Sequence, residues 1–277
     1  FWKDWYRGGL DSWTQGYGVG KTHSLQLDFV TDAGSEAVDR ARAFETPVLA
    51  FAAPEYACDT WAFGRVHHRD PQSFPEIEAV LDAILHRKLW LRQRLGNYGW
   101  IDFGDMNWQL SHHGDPDRIT YSHWRHWASM FYGGPNIFPF LYLRSGSRDA
   151  WDFARVNARH VMDIDICHLD SDESHGFRFE KRKGGRYGGR GGIVHYAANI
   201  YVVGCDHHSR FMTWDYYING TPRSWEVFND YIEQHAERRN LYYNFDYRTR
   251  MTGGTLRLMC EAYEATWDPE YLSFAHQ

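Results

Sequence analysis

The stretch from Tyr98 to Asp115, YGWIDFGDMNWQLSHHGD, mixes side chains that hydrogen-bond with side chains that stack. Carboxylates and imidazoles alternate with indole and phenol rings, and glycine interrupts the segment, so the apolar spacing of a core helix is absent. Such a loop suits a ligand with flat apolar faces and a hydroxyl rim, as a sugar has. Alternatively, its polar residues cap the loop. The predicted ligand-binding residues here are Trp100, Asp102, Asp105, Asn107 and Trp108.

Two other pairs of residues can transfer protons. His195 and Tyr196 follow a glycine turn, and an adjacent imidazole and phenol can act as base and acid. Alternatively, Tyr196 begins a helix as a core residue and His195 caps it. His207 and His208 are neighbours that cannot face the same way on a helix. We select His208, with a structural hydrogen bond as the alternative. The predicted catalytic residues are His195, Tyr196 and His208.

Cationic side chains occur in two places. Lys21 and His23 are two residues apart, so on a strand both project to one side and can hold a carboxylate; otherwise they decorate an exposed strand. The insert KRKGGRYGGRGG contains Arg186 and Arg190 and is typical of a basic flap over an anionic ligand or of a solvated loop. An RNA-binding role for this single insert is less favoured.

The segment MDIDICH places Asp163, Asp165 and His168 on one predicted helix. Asp165 and His168 are three residues apart and share a face. Because a metal site needs more ligands than this pair, we expect a buried hydrogen-bonded pair.

The elements that must position these residues fall into two parts. THSLQLDFV alternates Leu25, Leu27 and Phe29 with polar neighbours, which predicts a half-buried strand. A lone strand is not stable. We therefore expect residues 1–36 to be the tail of a β domain or a strand packed on a helical body, with the chain extended before residue 31.

Helices are predicted from about residue 37. FPEIEAVLDAILHRKLWLRQRL has apolar residues at helical spacing, with Ser73 and Pro75 as start signals and Gly96 as a stop. Five more helices are expected at roughly 118–145, 148–168, 199–219, 222–240 and 253–266.

The joints between these helices resemble one another. YLRSGSRDAWDFA, YYINGTPRSWEVF and YEATWDPEYLSFA each end a helix on Tyr, turn, and begin the next helix with Trp or Tyr, and they align on Gly146, Gly220 and Thr266. A recurring hairpin predicts stacked helix pairs, as a solenoid or a closed toroid. Aromatic, histidine-rich loops favour closure. The predicted fold is mainly α, with an α/α-toroid catalytic domain over residues 37–277 and a short N-terminal β segment.

Composition excludes several classes of partner. The net charge of −6 argues against nucleic acid as a partner, and no run of about 18 apolar residues predicts a membrane span. The 4 cysteines lie far apart, so neither zinc nor a disulfide framework is indicated, and buried thiols are expected. No cofactor is predicted. The opening at Phe1 without methionine suggests a mature or excised piece of a longer chain.

The motifs together resemble a known family. GYGVGKTH with the alternating strand, then YGWIDFGD, then GGIVHY with HHSRFMTWDYYING, resembles the exo-rhamnogalacturonan lyases of polysaccharide lyase family 26, over about residues 16–220. The resemblance implies an α/α toroid behind a β-sandwich, an acidic pectic polysaccharide as partner, and an extracellular or periplasmic location. It also implies cleavage next to a uronate by β-elimination.

β-Elimination needs a cation or hydrogen-bond donors at the uronate carboxylate, a base for the C5 proton and an acid for the leaving oxygen. His195 and Tyr196 are predicted as base and acid. The sequence predicts that Asn136 lines one concave face with Trp100, Asp105 and the three catalytic residues.

Two other functions stay open. One is a toroid glycoside hydrolase, in which Asp102 or Asp105 pairs with a second acid about 6.5 to 9.5 Å away if the enzyme inverts. The other is a sugar-binding toroid without catalysis.

Overall fold

The structure of the protein is a computed structural model. It describes Thr22, Leu27, Phe29, Val48, Tyr98 and His168 together with residues 34–46, 50–96, 103–105, 129–130, 133–166, 208–237 and 249–276. Helices account for 74% of these residues, and no strand occurs among them. The prediction of a mainly α fold is confirmed.

The α-helices are, in chain order, α1 Ala37–Glu45, α2 Pro54–Asp59, α3 Pro75–Leu95, α4 Gly134–Ser145, α5 Arg148–His160, α6 Arg210–Asn219, α7 Pro222–Glu237, α8 Thr249–Thr266 and α9 Pro269–His276. A 3₁₀ turn, Gly34–Glu36, precedes α1, and a π-helical turn, Val161–Asp165, follows α5. Among the helices described, none is both long and apolar enough to cross a membrane.

Helix α3 confirms Pro75 as a start signal and Gly96 as a stop signal, whereas Ser73 is wrong as a start signal, because the residue before the helix is Phe74 and no side chain caps it. Pro75 occupies its first turn, where the missing N–H costs nothing, and Gly96 ends it in the left-handed conformation at φ 65°. Only some of its regularly spaced apolar residues are buried. Leu81 and Leu85 pack against the core, whereas Ile77 and Val80 are each 59% exposed. The apolar residues thus lie at helical spacing, as predicted, but only some of them are buried.

The predicted hairpins are present, and consecutive helices α4/α5, α6/α7 and α8/α9 pack as pairs. At the first two joints a left-handed glycine donates its N–H to the tyrosine carbonyl four residues earlier: Gly146 to Tyr142 at 2.7 Å, and Gly220 to Tyr216 at 2.8 Å. Each joint has only two residues between helices, which requires antiparallel neighbours.

The third joint uses the same geometry with a different residue. Trp267, at φ 58°, donates its N–H to the Tyr263 carbonyl at 2.8 Å. Trp267 and not Thr266 is thus the equivalent of Gly146 and Gly220. The sequence alignment was wrong by one residue because a tryptophan in the left-handed conformation leaves no glycine to recognise.

Neighbouring hairpins share two apolar cores. One core joins α5 to α6, α7, α8 and α9, and the other joins α2 and α3 to α4 and α5. A polar bridge links the first two hairpins, since Trp151 Nε1 donates to Asn219 Oδ1 at 2.7 Å, and Asn219 donates to Asp215. Packing of successive hairpins is thereby established, and closure into a toroid stays a prediction.

The predicted N-terminal strand lies largely outside the described residues. Of its apolar positions, Leu27 is 68% and Phe29 is 87% exposed, so the expectation of a half-buried face is wrong for these two. The prediction of buried thiols is confirmed for Cys58 and wrong for Cys260, which is exposed. Cys167 and Cys205 lie outside the described residues.

Candidate functional site

The structure describes three of the predicted site residues, Asp105, Asn136 and His208. The other predicted site residues lie outside the described residues; they are Lys21, His23, Trp100, Asp102, Asn107, Trp108, Arg186, Arg190, His195 and Tyr196. The three that are described lie near the ends of α4, α5 and α6, where segments distant in sequence meet.

His208 lies immediately before α6, and its imidazole is 1% exposed. Its Nε2 atom is 3.1 Å from Nη2 of Arg257 on α8. A guanidinium has no acceptor, so Arg257 must be the donor and Nε2 must carry no proton. As a hydrogen bond, this contact requires the His208 tautomer that carries its proton on Nδ1. A neutral imidazole is the protonation state that a general base requires.

A carboxylate from the same face of α8 fixes this arrangement. Glu261 Oε2 accepts hydrogen bonds from Ser209 N at 2.9 Å, Ser209 Oγ at 2.8 Å and Arg210 N at 3.1 Å. It therefore caps the N-terminus of α6, where the helix dipole favours an anion. Glu261 Oε1 also lies 4.0 Å from Nε of Arg257, one helical turn earlier. One side chain thus holds both the segment of His208 and the arginine that contacts it.

The other side of His208 faces a backbone that only glycine permits. Gly133 has φ 81°, and a Cβ atom there would lie 2.7 Å from Cε1 of His208. Gly133 directly precedes α4, which carries Asn136 in its first turn. The Oδ1 atom of Asn136 is buried and finds no hydrogen-bond partner among the described residues. Two predicted site residues therefore belong to elements in direct contact, α4 and the start of α6.

Asp105 belongs to a buried polar cluster beside α5. Its Oδ1 atom accepts from Ser129 Oγ at 2.6 Å, and its Oδ2 atom is 3.5 Å from His160 Nε2. The same nitrogen is 3.3 Å from Asp165 Oδ1. The imidazole separates two carboxylates that would otherwise repel one another. Asp105 is 4% exposed, and its predicted role in binding a ligand stays a prediction.

Gly104 explains how Asp105 reaches this position. Its φ is 88°, and a Cβ atom would lie 2.3 Å from the carbonyl oxygen of Val156 on α5. The Gly104 carbonyl accepts from Asn157 Nδ2 at 2.8 Å, and the same amide donates to Ser129 Oγ at 3.1 Å. The Gly-Asp dipeptide therefore lies directly on α5.

The π-helical turn Val161–Asp165 connects this cluster to the N-terminal segment. Asp165 faces His160, whereas Asp163 accepts from Thr22 Oγ1 at 3.0 Å, and the Thr22 N–H donates to the Asp163 carbonyl at 2.8 Å. Arg223 on α7 donates to Thr22 Oγ1 at 3.3 Å. Thr22 lies between the predicted Lys21 and His23 in the sequence, and its own backbone and side chain are bound to the helical body. π-Turns are frequent at functional sites.

The prediction that Asp165 and His168 form a buried hydrogen-bonded pair is wrong. The helix ends at Asp165 and the next residue is extended, so the two side chains do not share a helical face. His168 Nε2 is within hydrogen-bond distance of the Met162 carbonyl, which only accepts, and Asp165 is next to His160. Burial lowers the pKa of His168 and favours its neutral form.

No known protein family model matches the chain, and no curated protein is significantly similar to it. Within the described part of the chain, no group of three or more His, Cys, Asp or Glu side chains is arranged to hold a metal ion.

Sequence reasoning missed Arg257, Glu261, Ser129 and His160. Arg257 and Glu261 had a weak signal, because an arginine four residues from a glutamate on a helix forms an ion pair. Nothing in the sequence indicates that this pair faces residues 208–210, since the contact joins positions about 50 residues apart. His160 looks like an ordinary polar residue near the end of a helix.

Proposed function

We propose that the chain is an α/α-toroid polysaccharide lyase that acts outside the cytoplasm and cleaves a uronate-containing pectic glycan of the rhamnogalacturonan type by β-elimination. The observation that carries the proposal is the contact between His208 and Arg257. A neutral imidazole beside a fixed guanidinium supplies two of the three groups that the reaction needs, the base and the cation for the carboxylate.

The two groups work in sequence. Arg257 is half-buried, with a side chain 42% exposed, and a guanidinium pairs with a carboxylate through two parallel hydrogen bonds. A uronate carboxylate that engages Arg257 would withdraw its donor from Nε2 of His208. Nε2 would then present a lone pair for the C5 proton while the guanidinium stabilises the negative charge that develops on the carboxylate.

The elimination then breaks the C4–O bond. The C5–H electrons form the C4–C5 double bond, and the leaving oxygen takes a proton from an acid, for which Tyr196 is the predicted residue. His195 is the alternative base, and Arg186 and Arg190 are proposed to attract the polyanion. Asp105 gives the hydrolase no specific support, because its described contacts are a hydrogen bond from Ser129 and a 3.5 Å approach to His160.

The test is release of unsaturated product, which absorbs in the ultraviolet, from a rhamnogalacturonan oligosaccharide. His208→Ala is expected to lower kcat by roughly 10²- to 10⁴-fold, the usual contribution of a general base. Arg257→Lys keeps the charge but not the paired donors, so KM is expected to rise. Arg210→Ala is the matched control, since Arg210 is a neighbouring arginine that pairs with Glu264.

Three outcomes contradict the proposal in different ways. Absence of unsaturated product from the full-length parent rejects the lyase. New reducing ends without unsaturation identify a hydrolase. Full activity of His208→Ala with loss of activity in His195→Ala leaves the lyase in place and moves the base to His195.

A further inference from the structure

The first two helical joints have the same backbone but different surroundings. At the first joint, Phe51 packs edge-on against Tyr142, with ring centroids 5.8 Å apart. A Cβ atom on Gly146 would lie 2.9 Å from the Phe51 ring and 3.4 Å from Pro54. Tyr142 and Trp151 are each only 4% exposed. The first joint is thus closed by an aromatic ring and a proline.

The second joint is open at the equivalent place. A Cβ atom on Gly220 would meet nothing within 4 Å. A cleft of about 530 Å³ lies there, and its lining residues are Tyr216, Tyr217, Gly220, Pro222, Trp225 and Glu226. This volume is in the range of small-molecule sites. Tyr217 is 53% exposed, so the joint presents an aromatic surface that the described residues leave uncovered.

The rings of this cleft are held in place by their neighbours. Trp225 stacks on Phe228 at 5.2 Å with an interplanar angle of 28°, and Tyr216 lies 5.2 Å from Trp225 on another side. Tyr217 contacts Tyr216 at 5.5 Å. Rings that are already fixed lose little conformational entropy when a ligand binds, which favours binding.

The rim of the cleft is charged. The Glu226 side chain lines the cleft and is 68% exposed, so a carboxylate acceptor stands beside the aromatic floor. A ligand that stacks on the aromatic floor and hydrogen-bonds to the rim needs a flat apolar face and a border of hydroxyl groups. We infer that the cleft binds a pyranose ring of a glycan chain as a second, non-catalytic binding site.

The choice of a glycan as the ligand rests on the proposed function, but the site itself takes no part in the proposed chemistry. It lies at the C-terminal end of α6, whereas His208 precedes the N-terminal end. The helix has 10 residues, which at 1.5 Å per residue separates the two by about 15 Å. A peptide with an aromatic ring and a proline is the competing occupant, because Phe51 and Pro54 close the first joint. The charged rim favours the sugar, and the experiment includes both.

The experiment measures binding of a rhamnogalacturonan oligosaccharide to the full chain by calorimetry and locates it by hydrogen exchange. Tyr217→Ala is expected to weaken binding about tenfold, in line with the loss of one ring contact. Protection by the oligosaccharide is expected over residues 216–226. Tyr56→Ala is the matched control, because Tyr56 is an exposed tyrosine on α2, away from the cleft, and is 66% exposed.

Equal affinities of the parent and Tyr217→Ala, or equal losses in Tyr217→Ala and Tyr56→Ala, overturn the inference. So does protection of residues 216–226 by a peptide of residues 49–55, LAFAAPE, when the oligosaccharide gives none. The two proposals are separable: a parent that binds through Tyr217 but releases no unsaturated product supports the cleft and rejects the lyase. Normal product formation without binding at Tyr217 supports the lyase and rejects the cleft as a binding site.

Discussion

Lys88 brings an ammonium group close to the polar cluster of Asp105. Burial lowers the pKa of Lys88 to about 8, Arg87 lowers it further, and only Asp105 acts in the opposite direction. An unfolded chain holds the Lys88 proton up to a pKa of about 10.4. Between these values the unfolded state binds more protons than the folded state, so this residue makes stability increase as pH rises from about 8 to 10.

We predict that replacing Lys88 changes the slope of the free energy of unfolding against pH. Lys88→Met removes the titrating group, so the free energy of unfolding should rise less steeply between pH 8 and 10 than it does in the parent. The measurement is urea denaturation of both proteins across this range. Arg94→Met is the control and should keep the slope, because Arg94 is an exposed arginine on the same helix and is not among the groups that shift the pKa of Lys88. Parallel pH profiles for the parent and Lys88→Met would show that Lys88 stays charged in the fold.

Single residues were predictable from the sequence where their type alone suggests chemistry. His208 was identified for this reason. Its partner Arg257 and the cap from Glu261 depend on how α8 packs against α6, and this packing has no local sequence signal. Asp105 was also identified, but Gly104 turns it onto α5, into the interior. Residue type therefore gives candidate side chains but not the direction in which they point, and the catalytic role of His208 stays a prediction.

At the scale of elements, the left-handed residue of each joint controls stability. Gly220→Ala is expected to cost about 1 to 2 kcal/mol from backbone strain alone, because a Cβ atom there meets nothing within 4 Å. Gly146→Ala should cost more, since its Cβ would also contact Phe51 at 2.9 Å. Trp267→Gly should instead stabilise the protein by up to about 1 kcal/mol, because it relieves the same strain at φ 58°.

The free energy of unfolding in urea tests this order. Tyr263→Ala is a useful companion to Trp267→Gly, because the two rings lie 5.9 Å apart and their contact opposes the gain from relieved strain. If Trp267→Gly destabilises the protein as much as Tyr263→Ala does, the ring contact outweighs the backbone strain. Equal costs for the two glycine variants would show that Phe51 moves aside.

Element boundaries were predictable wherever proline and glycine mark them, as at both ends of α3. The π-turn Val161–Asp165 was not, because its contacts are a hydrogen bond from the distant Thr22 and an approach of His160 to Asp165 at 3.3 Å, and it has no composition of its own. The exposure of Ile77 and Val80 also could not be predicted. Periodicity gives the apolar face of a helix, but packing decides how much of that face is covered.

At the scale of the whole molecule, one buried ion pair joins α3 to the first hairpin. Glu78 on α3 accepts two hydrogen bonds from Arg144 on α4, one of them from Nη1 at 3.1 Å. Arg144 also donates to the carbonyl of His67 at 2.6 Å, and Glu78 accepts from the N–H of Asp70 at 3.1 Å. The pair therefore connects α4 to α3 and both helices to the loop before α3.

Because the hydrogen bonds from Arg144 lower the pKa of Glu78, the folded state binds this proton less readily than the unfolded chain, whose pKa is about 4.3. The pair thus stabilises the fold above about pH 4.3, and this stability is lost as the pH falls through the folded pKa. Glu78→Gln removes the charge and keeps the shape, so it should cost on the order of 3 kcal/mol at pH 7, since Arg144 is left buried without its counter-ion.

Urea denaturation of the parent and Glu78→Gln between pH 7 and pH 2 tests this prediction. The difference should be largest at neutral pH and should disappear in acid, where the parent carboxyl is itself protonated. Glu76→Gln is the matched control, because Glu76 lies on the exposed side of the same first turn of α3 and should change stability little at any pH. A difference between the parent and Glu78→Gln that stays constant down to pH 2 would mean that shape and not charge holds α3 to the hairpins. The contact between α3 and α4 would then not weaken in acid.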